Sequence, residues 1–320
     1  MTITNIPEWS GKNITLTTPY TQSSDILIWQ KQMILLGYDL GLGGETGKGD
    51  DGIFGKRSLA ALQKFQQDRE LKVDGILGPI SWDTAWADDV ITPDAKKILS
   101  VFEIDDVLIQ KFESESVFFF KSGMNIDADG TPNAYHPENI GIDYLANAGY
   151  PGSWWGLATD SNGNPLIQED SDPYPGYYIS QTALIDNRYI KNDTRRYVNS
   201  VEIPYIVLPG NRDFREITGI QLGDFSVVYN MENEKFSYAI YADIGPKNEI
   251  GEGSVALAKS LGHDPFVNGK VKRSIQKNIV YVVFPKSGDG KPREINEIKK
   301  EAEIYFNQWG GISKLKDIFL

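Results

Sequence analysis

Two carboxylates nine positions apart, Asp243 and Glu252, lie in a segment whose pattern changes direction twice. Residues 238–262 predict a strand, a Gly-Pro turn, a loop and a short helix that ends at a glycine. Asp243 ends the strand, and Glu252 precedes Ser254, a residue type that favours helix N-caps. Glycoside hydrolysis needs one carboxyl to protonate the leaving oxygen and a second to act on the opposite face of the sugar. The pair therefore indicates an enzyme.

Composition excludes several other kinds of site. The chain has 320 residues, for which two domains are the default expectation, and it contains no cysteine. Disulfides, cysteine nucleophiles and thiolate metal sites are therefore excluded. Only two histidines occur, His136 and His263, which excludes a multi-histidine zinc site. We predict no metal and no cofactor.

The charge of the chain is acidic and unevenly distributed. The net charge is −12, and residues 119–260 contain 19 acidic against 10 basic side chains. A cleft in this segment would repel nucleic acid and attract a cationic polymer. Solubility is an equally open explanation of the acidic excess. No apolar run is long enough for a membrane span, and no signal peptide is visible at the N-terminus.

The N-terminal region predicts a compact helical unit from about Asp25 to Trp86. Apolar residues recur at helical spacing in a first helix that ends at Gly37 and in a second helix from Ser58 to about Arg69. A short third helix carries Trp82. Two Asp-Gly turns interrupt the unit, each with a glycine where a positive φ is expected.

This pattern resembles the peptidoglycan-binding domain type 1, a three-helix module that anchors proteins to cell walls. The matching residues are Trp29-Gln30, Leu36-Gly37-Tyr38, Asp51-Gly-Ile-Phe-Gly55, Phe65-Gln66, Val73-Asp-Gly-Ile-Leu-Gly78 and Trp82. The resemblance implies that the N-terminal domain binds peptidoglycan or a related wall polymer.

The composition changes to β from Phe118 onward. Short runs of β-branched and aromatic residues, bounded by Gly, Pro, Asn or Asp, predict strands of a small barrel. They are Val117–Phe120, Ile203–Leu208, Phe225–Tyr229, Phe236–Ala242 and Ile279–Phe284. The tail from Arg293 to Leu320 predicts an amphipathic helix that breaks at Gly310-Gly311.

The strand, the Asp-x-Gly-Pro turn and the following helix resemble double-psi β-barrels such as the rare lipoprotein A domain and lytic transglycosylase A. The chain from about 118 to 285 is more similar to glycoside hydrolase family 75, the chitosanases. The residues that carry this resemblance are Met124–Gly130, Ala134–Pro137, Pro175–Ser180, Val207–Gly210, Gly223-Asp224, Tyr281–Pro285 and the pair Asp243 and Glu252.

The resemblance implies an endo-acting, inverting hydrolase of β-1,4-linked glucosamine chains with Asp243 and Glu252 as the catalytic carboxylates. The macrodipole of the following helix would favour ionised Glu252, and burial beside an apolar strand would raise the pKa of Asp243. We therefore expect Asp243 to be the proton donor and Glu252 to activate water. The reverse assignment stays open.

Five further residues are candidates for substrate binding. Asp127 and Asp129 either bind glucosamine ammonium groups or form turns that resemble half a calcium loop. Trp154 and Trp155 either stack on sugar rings or fill the core. His136 is either a cleft residue or a structural histidine.

Together these patterns predict a multidomain α and β protein. Residues 20–90 form an N-terminal three-helix peptidoglycan-binding-like bundle, 91–116 a linker or connecting helix, and 117–320 a C-terminal double-psi-like β-barrel with flanking helices. The leading hypothesis is a chitosanase that acts outside the cell or at the cell wall. A peptidoglycan glycosidase used in lysis or wall remodelling and a non-catalytic, expansin-like wall-binding protein are the alternatives.

Overall fold

The structure is a computed structural model that describes residues 7–86 and 97–319. The chain divides into two compact units, one of residues 1–98 with 112–114 and one of residues 99–111 with 115–320. The helices in the described residues are α1 (Ser24–Leu35), α2 (Lys56–Asp68), α3 (Pro79–Ala85), α4 (Arg212–Thr218), α5 (Val255–Ser260), α6 (Ile295–Trp309) and α7 (Gly311–Phe319). None of these described helices combines the length and apolarity that a membrane crossing requires.

The strands are β1 (Ile98–Ile104), β2 (Val107–Phe112), β3 (Phe118–Asp127), β4 (Gly149–Tyr150), β5 (Ser153–Trp154), β6 (Tyr205–Pro209), β7 (Phe225–Asn230), β8 (Phe236–Gly245), β9 (Glu252–Ser254), β10 (Phe266–Val267), β11 (Lys270–Val271) and β12 (Ile275–Phe284). Short 3₁₀ turns occur at Leu145–Ala148 and Thr194–Arg196.

The N-terminal unit is a helical body with its apolar side chains turned inward. Trp29 on α1, Phe65 on α2 and Trp82 on α3 are fully buried in one core. Helix α1 begins where the Ser23 hydroxyl accepts the Ile26 N–H, so the N-cap residue fixes its start. The helical character predicted for this region is confirmed.

A glutamine holds each Asp-Gly turn of the N-terminal unit. The Gln30 amide donates to Asp51 and accepts the N–H of Gly52, and both contacts are shorter than 3 Å. Gln66 makes the same two contacts with Asp74 and Gly75, again at 2.9 Å each. The same arrangement therefore occurs twice in the unit: a buried glutamine on a helix forms hydrogen bonds with the polar groups of an Asp-Gly turn.

The C-terminal unit is built around a closed barrel of six strands in the order β3-β12-β7-β8-β6-β9, with β9 pairing back to β3. Pairs β6–β8 and β3–β9 are parallel, and the other pairs are antiparallel. The inward side chains form a core that includes Phe120, Tyr241 and Tyr281. The predicted barrel and its mixed α and β content are confirmed.

The predicted connecting helix in residues 91–116 is wrong where the structure describes it. Residues 91–96 lie outside the described residues, and β1 and β2 occupy most of the remainder. The two-residue turn between them, Asp105-Asp106, has φ angles of 49° and 60°. Aspartate tolerates this left-handed conformation, which suits a tight hairpin turn. The turn chemistry therefore outweighs the weak helical pattern of the charged residues.

The C-terminal tail forms two helices, as predicted. Helix α6 begins with a capping box between Glu294 and Glu297, and it ends at Gly310, whose φ is 120°. Helix α7 begins at the next residue. Two successive glycines with positive φ give the break that the sequence indicates.

Candidate active site

Asp243 and Glu252 lie on either side of one residue of β6. Val207 pairs with Asp243 on β8 and with Glu252 on β9. Residues in register on neighbouring strands direct their side chains to the same face of a sheet. With a spacing of about 4.8 Å between strands, the Cα atoms of the two acids are about 9–10 Å apart. The two carboxyls therefore face the same side with one strand between them.

A β-bulge directs Asp243 away from the barrel interior. Ile206 pairs with Tyr241, but the next residue, Val207, pairs with Asp243, so that Ala242 is the extra residue of β8. Tyr241 packs in the barrel core. Because the bulge breaks the alternation of side chains, Asp243 points to the opposite face from Tyr241. The sequence contains no signal for this change.

The two acids differ in their hydrogen bonds. The Asp243 Oδ1 atom accepts the N–H groups of Ala183 and Ile244, both at 2.8 Å. In the residues that the structure describes, the Glu252 carboxyl makes no hydrogen bond or ion pair. Gly245 lies beside it, since a Cβ at this position would be 3.3 Å from Glu252 Oε2. The backbone thus holds the Asp243 carboxyl, whereas no hydrogen bond holds the Glu252 carboxyl in the described residues.

Both acids line a cleft of about 850 Å³. The lining residues are Asn125, Ile126, Asp127, Asp129, Tyr135, Asp143, Ala146, Asn147, Trp155, Val207, Asp243, Ile244, Gly245, Pro246, Glu249, Glu252, Val271, Lys272, Arg273 and Ser274. The cleft lies over the β8-β6-β9-β3 face of the barrel. It is open and large enough to hold sugar units of a chain.

Asp127 and Asp129, two of the predicted binding residues, form the floor of this cleft. Asp127 ends β3, next to Ser254 on β9. Its Oδ1 accepts the Asp129 N–H at 2.8 Å, and its Oδ2 accepts the Tyr205 hydroxyl at 2.9 Å. The Tyr135 hydroxyl donates to Asp129 Oδ1 at 2.7 Å. The turn and the cleft interpretations of these two aspartates are thus both compatible with their positions.

Asp143 is a cleft residue that the sequence analysis missed. It is only 4% exposed, and its Oδ2 atom is 3.3 Å from the Tyr135 hydroxyl that also contacts Asp129. Its Oδ1 accepts the Tyr144 N–H and the Asn147 amide, both at 2.8 Å. The segment Gly141-Ile-Asp143 has no motif that distinguishes this aspartate from a surface residue. Only its burial identifies it.

Burial raises the pKa of every carboxyl at the centre of the cleft. The pKa of Asp127 rises to about 6, with burial as the largest cause and the Asp143 charge as a further one. Burial and the Asp127 charge raise the pKa values of Asp129, Asp243 and Glu252 well above the usual range. Nearby like charges also raise these pKa values, because each ionised carboxyl disfavours ionisation of its neighbours.

Glu252 lies just before helix α5, whose macrodipole is expected to favour the ionised carboxylate. Helix α5 is six residues long and begins after its N-cap, Ser254, as predicted. Glu252 itself lies in β9, and burial dominates its surroundings. Burial raises the pKa values of both Asp243 and Glu252, and the expectation that the macrodipole separates the two values stays a prediction.

Three carboxylates at the cleft floor are close enough to share a cation. Asp127, Asp129 and Asp243 can each offer one oxygen, and these atoms lie within 4.8 Å of one another. Such oxygens suit hard cations such as Ca²⁺ or Mg²⁺. The same crowding also occurs where protons, rather than a cation, reduce the charge.

The remaining predicted binding residues separate into two groups. Trp155 lines the cleft and is 55% exposed, with its indole N–H donating to the Asn147 carbonyl. Trp154 is not a lining residue, because it packs against a small apolar cluster that includes Tyr135. His136 also lies outside the lining, where its ring contacts Tyr177 edge-on at 4.7 Å. The core and structural interpretations therefore fit Trp154 and His136.

Two segments of the chain match known families. Residues 157–311 match the family described as fungal chitosanase of glycosyl hydrolase group 75, and residues 22–84 match the putative peptidoglycan binding domain. Both resemblances identified in the sequence are thereby confirmed. The first match includes Asp243 and Glu252 but begins after Asp127 and Asp129.

A short alignment links the chain to one curated protein. It is 59% identical over 32 residues to a protein of Kitasatospora aureofaciens described as an uncharacterized protein in bpoA1 3'region. The aligned residues are 10% of this chain and 27% of that protein. The chain thus matches about a quarter of the relative's length.

Proposed function

We propose that the C-terminal unit is an endo-acting glycoside hydrolase that cleaves β-1,4 glucosamine linkages of chitosan with inversion. The observation that carries this proposal is the register of Asp243 and Glu252 on either side of Val207, in one cleft. Both acids belong to the segment that matches the chitosanase family. Acids alone would not specify the polymer, so the substrate class rests on this match.

Inversion at the anomeric carbon is the stereochemical course that the family resemblance implies. Inverting glycosidases keep their carboxyls ~6.5–9.5 Å apart, which leaves room for a water molecule between one carboxyl and the anomeric carbon. The Cα spacing of about 9–10 Å across one intervening strand leaves the carboxyl separation to the side-chain conformations, so the proposed stereochemistry rests on the family resemblance. Retaining enzymes need ~5–5.5 Å. The expected first product is therefore the α-anomer.

In the proposed mechanism Asp243 is the acid and Glu252 is the base. Two backbone N–H groups hold Asp243 Oδ1, which leaves Oδ2 to carry the proton toward the glycosidic oxygen. Glu252 has no donor of its own in the described residues, and its carboxylate is free to accept a proton from water. A substrate with an activated aryl leaving group tests these roles, because it needs no proton donor. Asp243→Asn should retain cleavage of that substrate, whereas Glu252→Gln should not.

The barrel topology agrees with a double-psi arrangement. Two parallel pairs, β6–β8 and β3–β9, interrupt an otherwise antiparallel barrel. Between them the chain passes from Asp243 to Glu252 through the Gly-Pro turn. We propose that this turn is the shared element that brings one acid from each parallel pair into the cleft.

A peptidoglycan glycosidase is the second candidate, and the match of residues 22–84 favours it. A wall-binding module would hold the enzyme at a polymer that contains β-1,4-linked amino sugars. The same module implies that either enzyme acts outside the cell or at the cell wall. The two candidates share the carboxylate pair and differ only in the polymer.

The decisive experiment compares chitosan with peptidoglycan. The purified protein should release reducing ends from chitosan, with α-anomers detected first by proton NMR. Asp243→Asn and Glu252→Gln should each abolish this release, whereas Glu303→Gln, at an exposed position of α6, should not.

Hydrolysis of peptidoglycan alone would favour the second candidate. Polymer binding without hydrolysis in wild type and both variants would exclude an enzyme. A β-anomer as first product would exclude inversion.

A further inference from the structure

The Tyr135 hydroxyl lies between two carboxyls of the cleft but has only one proton. It donates this proton to Asp129 Oδ1 at 2.7 Å, and Asp143 Oδ2 lies 3.3 Å from the same hydroxyl oxygen. A hydroxyl that has donated its proton can only accept from its other neighbours. The contact with Asp143 is therefore a hydrogen bond only when Asp143 carries a proton and donates it to the Tyr135 oxygen.

The other contacts of Asp143 favour this proton on Oδ2. The Oδ1 atom already accepts the Tyr144 N–H and the Asn147 amide, both at 2.8 Å, which leaves Oδ2 toward Tyr135. Lys270 donates to the backbone carbonyl of Asp143 at 3.2 Å. No lysine or arginine within residues 7–86 and 97–319 forms an ion pair with the Asp143 carboxyl. A carboxyl that is 4% exposed and has no ion pair is favoured in its neutral form.

Asp129 links this hydrogen-bonded pair to the proposed acid. One carboxyl oxygen of Asp129 and one of Asp243 lie within 4.8 Å of each other, a gap that a single water molecule can bridge. Gly156 makes room for Asp129, because a Cβ at this position would lie 2.9 Å from both of its carboxyl oxygens. Asp143, Tyr135 and Asp129 thus form a continuous line, here called the floor path, that ends beside Asp243.

The proposed mechanism requires a proton to return to Asp243 after every cleavage. Each cleavage moves a proton from Asp243 to the leaving oxygen and a proton from the attacking water to Glu252. Asp243 must regain a proton, and Glu252 must lose one, before the next cleavage. A polymer in the cleft excludes water from the open side of Asp243. The floor path reaches Asp243 from the protein side instead.

We propose that the proton returns to Asp243 along the floor path, with Asp143 and Tyr135 as the residues that position it. This inference rests on the proposed role of Asp243 as the acid. Asp143 gives its proton to the Tyr135 oxygen while Tyr135 gives its own proton to Asp129. Asp129 then protonates the Asp243 carboxylate. Asp143 regains a proton from water and Glu252 releases one to water, so the protons balance over each cycle.

The test removes one oxygen from the floor path and follows the first turnover separately from the later ones. Tyr135→Phe keeps the ring in its apolar cluster. The first cleavage uses the proton already on Asp243, so its rate should be unchanged. Later cycles must protonate Asp243 from solvent, so kcat and KM should fall together about tenfold while kcat/KM stays the same. Rapid-quench kinetics on chitosan should then show a burst that the wild type lacks.

Three controls separate the floor path from general damage to the cleft. Asp143→Asn should give the same burst, because an amide keeps the shape of the side chain but has no carboxyl proton to transfer. Tyr178→Phe, at a second ring packed against the cluster of Tyr135, should give no burst and an unchanged kcat. A substrate with an activated aryl leaving group takes no proton from Asp243. Tyr135→Phe should cleave that substrate at the wild-type rate in every cycle.

Two results would overturn the floor path and leave the chitosanase proposal intact. In the first, Tyr135→Phe slows the first turnover as much as the later ones and lowers kcat/KM, which would assign the hydroxyl a structural role only. In the second, Tyr135→Phe and Asp143→Asn both leave kcat unchanged. Failure of the wild type to hydrolyse chitosan would overturn both proposals.

Discussion

Aspartates of the two units have opposite surroundings: Asp74 is exposed, whereas the cleft acids are largely buried. In the N-terminal unit, Gln66 holds Asp74, and the Ile76 N–H with other donors lowers the pKa of this aspartate. In the cleft, burial and neighbouring acids raise the pKa values of Asp243 and Glu252. The donors of the turn thus outweigh burial at Asp74, whereas burial and neighbouring acids outweigh the two backbone donors at Asp243.

The raised pKa values of the cleft acids reduce the folding stability of the C-terminal unit at neutral pH. An acid with a raised pKa is destabilising at neutral pH, because ionising it in the folded state takes more free energy than in the unfolded chain. The turns held by Gln30 and Gln66 carry no such cost. Enzymes commonly accept instability at the site of chemistry.

Neutralising either central acid should reduce activity and increase stability together. For Asp243→Asn and Glu252→Gln we expect kcat to fall by roughly 10²–10⁴, the usual contribution of general acid–base catalysis. At pH 7 the Tm of the C-terminal transition should rise, because a buried charge is removed. Initial rates and calorimetry check both effects. A lowered Tm in both variants would contradict the contrast.

Removing a glutamine that holds an Asp-Gly turn should lower the stability of the N-terminal unit. For Gln66→Ala we expect a loss of about 2–3 kcal/mol in the free energy of unfolding of the N-terminal unit, because the Gly75 N–H and the Asp74 carboxylate lose a buried partner. Urea unfolding measures this loss. Gln67→Ala, the exposed neighbour on α2, is the control. Equal stability of the two variants would show that the turn does not depend on the glutamine.

Stability should decrease as the pH rises through the range in which Asp127 titrates. Its pKa is raised from 3.8 to about 6, so the folded state binds more protons than the unfolded state between these values. The free energy of unfolding should therefore fall by about 3 kcal/mol from pH 4 to above pH 6. Asp127→Asn should flatten this part of a Tm-against-pH curve. A rise in the free energy of unfolding over the same pH range would contradict a raised pKa of Asp127 in the folded state.

A methyl group next to Glu252 should have the smallest effect. In Gly245→Ala the new Cβ would lie 3.1 Å from a Val207 methyl and 3.3 Å from Glu252 Oε2, so the carboxyl must move by a few tenths of an ångström. We expect kcat to fall about two- to fivefold with little change in KM, because only the position of the base is altered. An unchanged kcat would mean that Glu252 tolerates displacement.

The predictable part of the fold consists of local features. Ser254 is recognisable as an N-cap from its residue type, and Gly310-Gly311 as a helix break, since both depend on nearby backbone geometry. The Asp105-Asp106 turn is also a local feature, but the strands on either side of it were not predicted, because the charged residues of this segment gave a weak helical pattern. The carboxylate pair was proposed from a family motif together with the spacing of the two acids, and its catalytic role stays a prediction.

The placement of the cleft residues was not predictable in the same way. The Tyr135 hydroxyl contacts both Asp129 and Asp143, which lie in a long irregular segment. No periodic pattern marks an aspartate that a loop will bury. Trp154 and Trp155 are adjacent and identical in type, yet one fills a core and the other faces the cleft. Which of two neighbours turns inward depends on the surface that the rest of the chain supplies.

Local patterns and motifs predicted the division into two regions, most of the helices and strands, and the candidate pair Asp243 and Glu252, because these features depend on neighbouring residues. The position of both acids beside Val207 on one face emerged only from the folded chain. A bulge at Ala242 reverses the side-chain alternation of β8, and the strand β9 closes the barrel against β3. Both events depend on pairing between distant strands, which no local pattern encodes.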